Sequence, residues 1–142
     1  VKKIIKKYDN EFCYISLYNK NPKTKSFGRL SPFEWINVIS ALDFLVTSYF
    51  HGVCFSLKNN IPFVAIECRD NIDKNRSKSY DLLYRNNLSQ HFFMKAEVNK
   101  IDKISAMIDR YLVSNERVNF DNIINSEKKL FDSLLLYLKK IK

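Results

Sequence analysis

The apolar residues of this chain follow two patterns. Continuous short runs at 44–47 and 62–66 predict strands buried on both faces, as in a parallel sheet that is covered by helices. Apolar residues at helical spacing predict helices at 50–57, between the two runs, and further along at 80–88 and 101–112. The order helix, strand, helix, strand with short links predicts an α/β fold.

A further helix is predicted just before the first of these strands. Ser31 suits the N-cap, Pro32 the first helical position and Glu34 the third, and an apolar stripe follows at Trp35, Val38, Ile39 and Leu42. Upstream, the pattern predicts the end of a helix at 1–9, a strand at 12–18 and a loop at 19–30.

The last apolar stripe predicts a long amphipathic helix at 120–141. We therefore expect residues 1–118 to form a Rossmann-like α/β domain and residues 119–142 to form a helical tail. Because an exposed apolar stripe usually finds a partner, we expect this helix either to fold back on the domain or to pair with a second copy as a homodimer.

The composition is that of a folded domain. The chain has 142 residues, of which 46% are hydrophobic and 27% charged, and this excludes a disordered tail. The formal net charge of +9 would suit nucleic acid or an anionic surface. The lysines are spread along the chain rather than clustered on one Arg-rich helix, so a solvated surface is the simpler interpretation and no specific nucleic-acid partner is expected.

The cysteines and the hydropathy indicate the compartment. Cys13, Cys54 and Cys68 form no CxxC pair, which excludes a disulfide scaffold and a zinc site and indicates a reducing environment. No apolar run approaches the ~20 residues of a membrane span, and no signal peptide is visible. We expect a cytoplasmic protein, either free or at the inner face of the membrane. Because the first residue is Val1, we expect a fragment of a longer protein.

The richest stretch for chemistry is the predicted strand-to-helix turn at 47–52. Thr47 and Ser48 supply hydroxyls, His51 supplies an imidazole, and the helix start should present the N–H groups of residues 50–53 to an anion. Gly52, one of two glycines, allows another backbone or a ligand to approach closely. Imidazoles titrate near neutral pH, so His51 suits general acid catalysis.

Each residue of the turn also has a structural interpretation. His51 after an apolar strand is compatible with a structural histidine, and Ser48 with a helix N-cap. Tyr49 and Phe50 are compatible with core aromatics. The residues alone leave these alternatives open.

A second group of candidates follows the second strand. The carboxyl ends of parallel strands meet at one edge of a sheet, so Glu67, Cys68 and Arg69 should share an edge with the turn. Arg69, Arg76 and Lys78 are either anion ligands or solvated loop charges. The sequence contains no Gly-rich phosphate loop, no metal-ligand spacing and no Ser-His-Asp order, and we expect neither a metal nor a cofactor. His91 is assigned no role.

Residues 41–57, preceded by Ser31-Pro32-Phe33-Glu34-Trp35 and followed by 61–66, resemble the C-terminal half of the polysaccharide pyruvyl transferase family. A downstream motif of that family resembles Arg76-Ser77-Lys78 with the leucines that follow it, Leu82, Leu83 and Leu88. The resemblance covers residues 29–90 and includes the whole turn.

The resemblance implies a two-domain fold like that of GT-B glycosyltransferases, in which this chain is the C-terminal, donor-side domain and the N-terminal domain is missing. It implies transfer of a pyruvyl group from phosphoenolpyruvate to two hydroxyls of a sugar or lipid-linked saccharide as a cyclic ketal. It places this reaction in bacterial exopolysaccharide biosynthesis. An isolated fragment should be inactive.

The resemblance also implies roles for single residues. The family's histidine falls on His51, as general acid or as partner of the leaving phosphate. Substrate binding falls on the rest of the turn and on nearby basic residues: Ser48, Tyr49, Phe50, Gly52, Arg69, Arg76 and Lys78. Ser48-Tyr49 stands where many members have Asp-Ser, and Lys78 where the family more often has Arg.

Two other functions are compatible with the sequence. The first is a GT-B glycosyltransferase domain that uses a nucleotide sugar. The second is a non-catalytic basic module that binds nucleic acid or a partner protein.

Overall fold

We describe the fold from a computed structural model of the chain. The structure describes residues 6–8, 12–13, 15–16, 25–26, 30–70, 72–97, 101–114 and 118–140. Near the start, strand β1 (Ile15–Ser16) pairs in parallel with β2 (Lys25–Ser26). The predicted strand at 12–18 is thus present in part, whereas the predicted loop at 19–30 wrongly covered β2. A Lys-Ser pair has little strand propensity, and only its pairing with β1 makes it a strand.

The main sheet has three parallel strands. They are β3 (Leu45–Thr47), β4 (Phe63–Glu67) and β5 (Phe92–Met94), with β4 in the middle. Thr47 lies beside Ala65, and Glu67 lies beside Met94. The predicted α/β class and the two predicted strands are confirmed.

Five helices whose bounds are described surround the sheet: α1 (Pro32–Ser40), α2 (Phe50–Lys58), α3 (Lys78–Arg85), α4 (Ile101–Ile108) and α5 (Asp121–Lys140). Residues 6 and 7 are helical as well, within the helix end predicted at 1–9. Short 3₁₀ turns lie at Lys74–Arg76, Ser89–His91 and Lys95–Glu97, and α4 continues as a π-helical turn at Asp109–Val113. Each predicted helix of this region is present within a few residues of its expected bounds.

The start of α1 follows from its sequence. The Ser31 hydroxyl accepts a hydrogen bond from the Glu34 N–H at 3.3 Å, and the Glu34 carboxylate accepts one from the Ser31 N–H at 2.7 Å. These bonds satisfy two donors that the helix cannot, and they lower the pKa of the Glu34 carboxyl. The predicted capping box is confirmed.

The core lies on both faces of the main sheet. One cluster joins the strands to α1, α2 and α3, through buried residues that include Ile39, Val53, Leu57, Phe63, Ala65, Leu83 and Phe92. The other lies against α4 and comprises Tyr8, Val64, Phe93, Ile104 and Ile108. Neighbouring residues of β4 and β5 therefore enter opposite clusters, as strand geometry requires.

The sequence predicted neither strand β5 nor a role for His91, the residue before it. His91 is buried, its Nδ1 lies 2.8 Å from the Phe63 carbonyl oxygen, and its ring centroid lies 5.0 Å from that of Phe63. Burial lowers the pKa of His91. The imidazole therefore belongs to the core, where it ties the start of β5 to β4.

Helix α5 contacts the domain through its first half. The Phe120 N–H donates to the Asn60 side-chain oxygen at 2.6 Å, and the Glu127 carboxylate accepts from Arg85 and Asn86 at 3.4 and 3.2 Å. Further along, the exposed apolar side chains include Leu130, Phe131 and Leu136. None of the described helices is both long and apolar enough to cross a bilayer.

Candidate active site at the carboxyl edge of the sheet

The carboxyl ends of β3, β4 and β5 lie at one edge of the sheet because all three strands are parallel. This edge therefore collects the turn after β3, the polar loop after β4 and the 3₁₀ turn after β5. Ligands of open α/β sheets bind at such an edge. It is where the sequence placed the candidate site.

The turn after β3 is organised by Thr47, for which the sequence predicted only a hydroxyl at the candidate site. Thr47 is buried, and its hydroxyl accepts a hydrogen bond from the Tyr49 N–H at 3.1 Å. The N-cap of α2 is Tyr49, which makes no side-chain capping bond. The interpretation of Ser48 as the N-cap is therefore wrong, and Ser48 is exposed beside the helix start.

Gly52 is needed because Thr47 packs against it. A Cβ atom at Gly52 would lie 2.4 Å from the Thr47 Oγ1 and 3.0 Å from the Thr47 Cβ. The close approach predicted at this glycine is thus made by the side chain of the preceding strand. Backbone strain plays no part, since no glycine in the described chain has a positive φ.

The first turn of α2 presents fewer free N–H groups than expected. The Val53 N–H donates to the Tyr49 carbonyl at 3.3 Å, so the predicted set of residues 50–53 shrinks by one. The N–H groups of Phe50, His51 and Gly52 precede the first intrahelical bond of the helix. They carry the positive end of the helix dipole and suit an anion.

His51 is the second residue of α2 and is exposed. Its ring centroid lies 6.1 Å from that of Phe50, edge to face. Among the described residues it has no hydrogen-bond or ion-pair partner, which is the state expected of a group that meets a substrate rather than a core. Tyr49 is 52% exposed and so is not a core aromatic, whereas Phe50 is partly buried.

The end of β4 carries a tight ion pair. The Glu67 carboxylate accepts from the Arg69 backbone N–H at 3.1 Å, from Nε at 2.9 Å and from Nη2 at 2.8 Å. These bonds, chiefly the side-chain bond, lower the pKa of Glu67 to about 2. The nearby Ser77 side chain contributes to this lowered pKa as well.

Arg76 and Lys78 lie at the other end of that loop. Arg76 ends a 3₁₀ turn, Lys78 begins α3, and both are exposed. Ser77 between them is buried and caps α3 by accepting from the Tyr80 N–H at 3.4 Å. Arg76 and Lys78 make no ion pair with any residue that the structure describes, and Ser77 anchors the backbone that carries them.

An exposed ion pair joins the loops that follow β4 and β5. Lys95 Nζ lies 2.8 Å from one Asp70 carboxylate oxygen and 3.1 Å from the other. Lys74 lies over the Tyr80 ring at 4.4 Å, so its charge also has a local partner. Among the described residues, Arg69, Lys74 and Lys95 thus have a charged or aromatic partner, whereas Arg76 and Lys78 have no ion-pair partner.

No cluster of three or more His, Cys, Asp or Glu side chains in the described ranges is arranged to hold a metal ion. The three cysteines are free thiols, and burial raises the pKa of Cys54. They offer this edge neither a disulfide nor a ligand set.

Thr47 and Glu67 organise the site, and the sequence did not predict this role for either residue. The Thr47 side chain packs against Gly52, and the Glu67 carboxylate binds Arg69. A signal was present in the sequence: each is a polar residue that ends an otherwise apolar strand, and Glu67 has an arginine two residues later.

Comparison with known proteins identifies a family. Residues 2–71 match the model of the family described as polysaccharide pyruvyl transferase. The match contains the whole turn 47–52 and Arg69, and it ends before Arg76 and Lys78. No curated protein and no solved structure matches the chain. On this match, the stretch 2–71 is that of the polysaccharide pyruvyl transferase family, a family of transferases.

Proposed function

We propose that this chain is the donor-side domain of a polysaccharide pyruvyl transferase that uses phosphoenolpyruvate. The observation that carries the proposal is the exposed imidazole of His51, which has no hydrogen-bond or ion-pair partner among the described residues. It lies beside the first-turn N–H groups of a helix, inside the stretch that matches the family. The acceptor would be a sugar or a lipid-linked saccharide of a bacterial exopolysaccharide, handled in the cytoplasm or at the inner face of the membrane.

The site suits the charge of phosphoenolpyruvate, which carries a phosphate and a carboxylate. The first-turn N–H groups of α2 would bind one of these anions. Arg69, Arg76 and Lys78 would supply cations from the neighbouring loop, with the arginines suited to two-point hydrogen bonding and the lysine acting as a point charge. Ser48 and Tyr49, both exposed at the turn, would line the same space.

The reaction needs one proton to be delivered to carbon. Protonation of the methylene carbon of phosphoenolpyruvate gives a methyl group and makes the neighbouring carbon electrophilic. The first sugar hydroxyl bonds to that carbon and gives up its proton, which restores the general acid. The bond to the phosphate oxygen then breaks, the second hydroxyl bonds to the same carbon, and its proton leaves with the phosphate. His51 would act as the general acid for the carbon or as the proton donor to the phosphate.

Substitution of His51 in the protein encoded by the full open reading frame tests this role. His51→Gln should remove most ketal formation and phosphate release, by about 10²–10⁴-fold, as expected for a general acid. Its melting temperature should stay close to that of the wild type, because His51 is exposed and has no hydrogen-bond or ion-pair partner among the described residues. A folded His51→Gln protein with wild-type turnover would overturn the assignment.

Ligand-induced thermal shifts separate this proposal from the alternatives. Phosphoenolpyruvate should raise the melting temperature, since a ligand that binds only the folded state stabilises it. Stabilisation by a nucleotide sugar alone would indicate a glycosyltransferase domain. Stabilisation by an oligonucleotide with a steep salt dependence would indicate a nucleic-acid-binding module.

A further inference from the structure

We infer that Glu67 is a positioning residue that holds the Arg69 guanidinium toward the anionic substrate at the carboxyl edge of the sheet. This inference rests on the proposed function and adds a residue to it. Glu67 itself would not touch the substrate.

In this pair Glu67 is buried and fixed, whereas Arg69 is exposed to solvent. The Glu67 side chain is 8% exposed, whereas that of Arg69 is 62% exposed. Glu67 ends β4, so the middle strand of the sheet fixes its position. Its carboxylate binds the Arg69 backbone as well as the guanidinium, which fixes both the path of the chain and the direction of the side chain.

The contacts leave donors available. An arginine has five N–H donors, and Glu67 takes those on Nε and one on Nη2. Among the described residues, the Nη1 donors and the second Nη2 donor make no hydrogen bond, and the side chain is 62% exposed. A guanidinium held in this way loses less side-chain entropy when it binds a carboxylate or phosphate, because the rotamer is already selected.

A simpler function of Glu67 would be to neutralise Arg69, and the two functions predict opposite results. If Glu67 only neutralises the charge, its removal frees a cation and strengthens anion binding. If Glu67 positions the guanidinium, its removal lets the side chain move and weakens binding, although the site becomes more positive. The sign of the change therefore decides between them.

The experiment is a double-mutant cycle on phosphoenolpyruvate binding, measured by titration calorimetry with the protein of the full open reading frame. The variants are Glu67→Gln, Arg69→Met and the double variant. Glu67→Gln should raise the Kd about tenfold, in the range of one charge-assisted hydrogen bond. The double variant should bind no more weakly than Arg69→Met, because Glu67 acts only through Arg69.

Glu127→Gln is the matched control. It makes the same chemical change and also removes a carboxylate that pairs with an arginine, Arg85. This pair lies away from the candidate site, because Arg85 is at the end of α3 and the site is at its start, where Lys78 lies. The control should leave the Kd for phosphoenolpyruvate unchanged.

The possible outcomes separate the inference from the proposed function. Weaker binding by Glu67→Gln with no further loss in the double variant supports the inference. Wild-type binding together with equal or tighter binding by Glu67→Gln overturns the inference and leaves the proposed function standing. If the wild type does not bind phosphoenolpyruvate, the proposed function fails and the inference fails with it.

Discussion

Replacement of Gly52 by alanine tests how the turn that carries His51 is built. The new Cβ would lie 2.4 Å from the Thr47 Oγ1, well inside van der Waals contact, so Thr47 must move. Overpacking of this kind costs about 1–3 kcal/mol, and loss of the Thr47–Tyr49 hydrogen bond costs about 1 kcal/mol more. Alanine recovers about 1 kcal/mol through its higher helix propensity. The expected net loss of unfolding free energy is about 1–3 kcal/mol.

Urea denaturation of Gly52→Ala, Thr47→Ala and the double variant measures this contact. Thr47→Ala removes the hydroxyl and the methyl group but leaves its own Cβ, 3.0 Å from the new atom. The double variant should therefore lose less stability than the sum of the single variants. Lys58→Ala, an exposed change in the last turn of the same helix, is the control and should stay within about 0.5 kcal/mol of the wild type. Strictly additive losses, or a Gly52→Ala protein as stable as the wild type, would refute the packing argument.

Further predictions concern pH, the helix cap, the anion site and the tail. The pKa of Glu67 is about 2 in the folded chain and 4.5 in the unfolded chain. Its contribution to the free energy of unfolding is therefore complete above pH 4.5 and is lost between pH 4.5 and 2, and acid denaturation of Glu67→Gln should lack this loss. Because burial lowers the pKa of His91 below 6.5, stability should fall as the pH drops below 6.5, and urea midpoints at pH 7.5 and 5.5 should differ less in His91→Gln. Ser31→Ala should cost about 1 kcal/mol in the same assay, through loss of the capping box. Crystals soaked in sulfate should show density at the N–H groups of Phe50, His51 and Gly52, and an empty, accessible turn with sulfate bound elsewhere would contradict the anion site. Light scattering at rising concentration should show self-association that is lost when 120–142 is removed, and a concentration-independent monomer would contradict pairing through α5.

The features that the sequence determined by itself are those encoded within a few neighbouring residues. The capping box at 31–34 and the apolar runs that became β3 and β4 follow from local chemistry and spacing, and so does the helix between them. The same locality placed His51 at a strand-to-helix turn. These signals need no knowledge of the rest of the chain, because capping and periodicity act over one or two turns.

The tertiary structure decided the features that depend on residues brought together from different elements. β5 has three residues, and it is a strand only because β4 pairs with it and because His91 bonds to Phe63, 28 positions earlier. The Thr47 side chain packs against Gly52 because α2 folds back onto the strand before it. Periodicity does not encode such contacts, since they depend on where the chain returns and which atoms then meet.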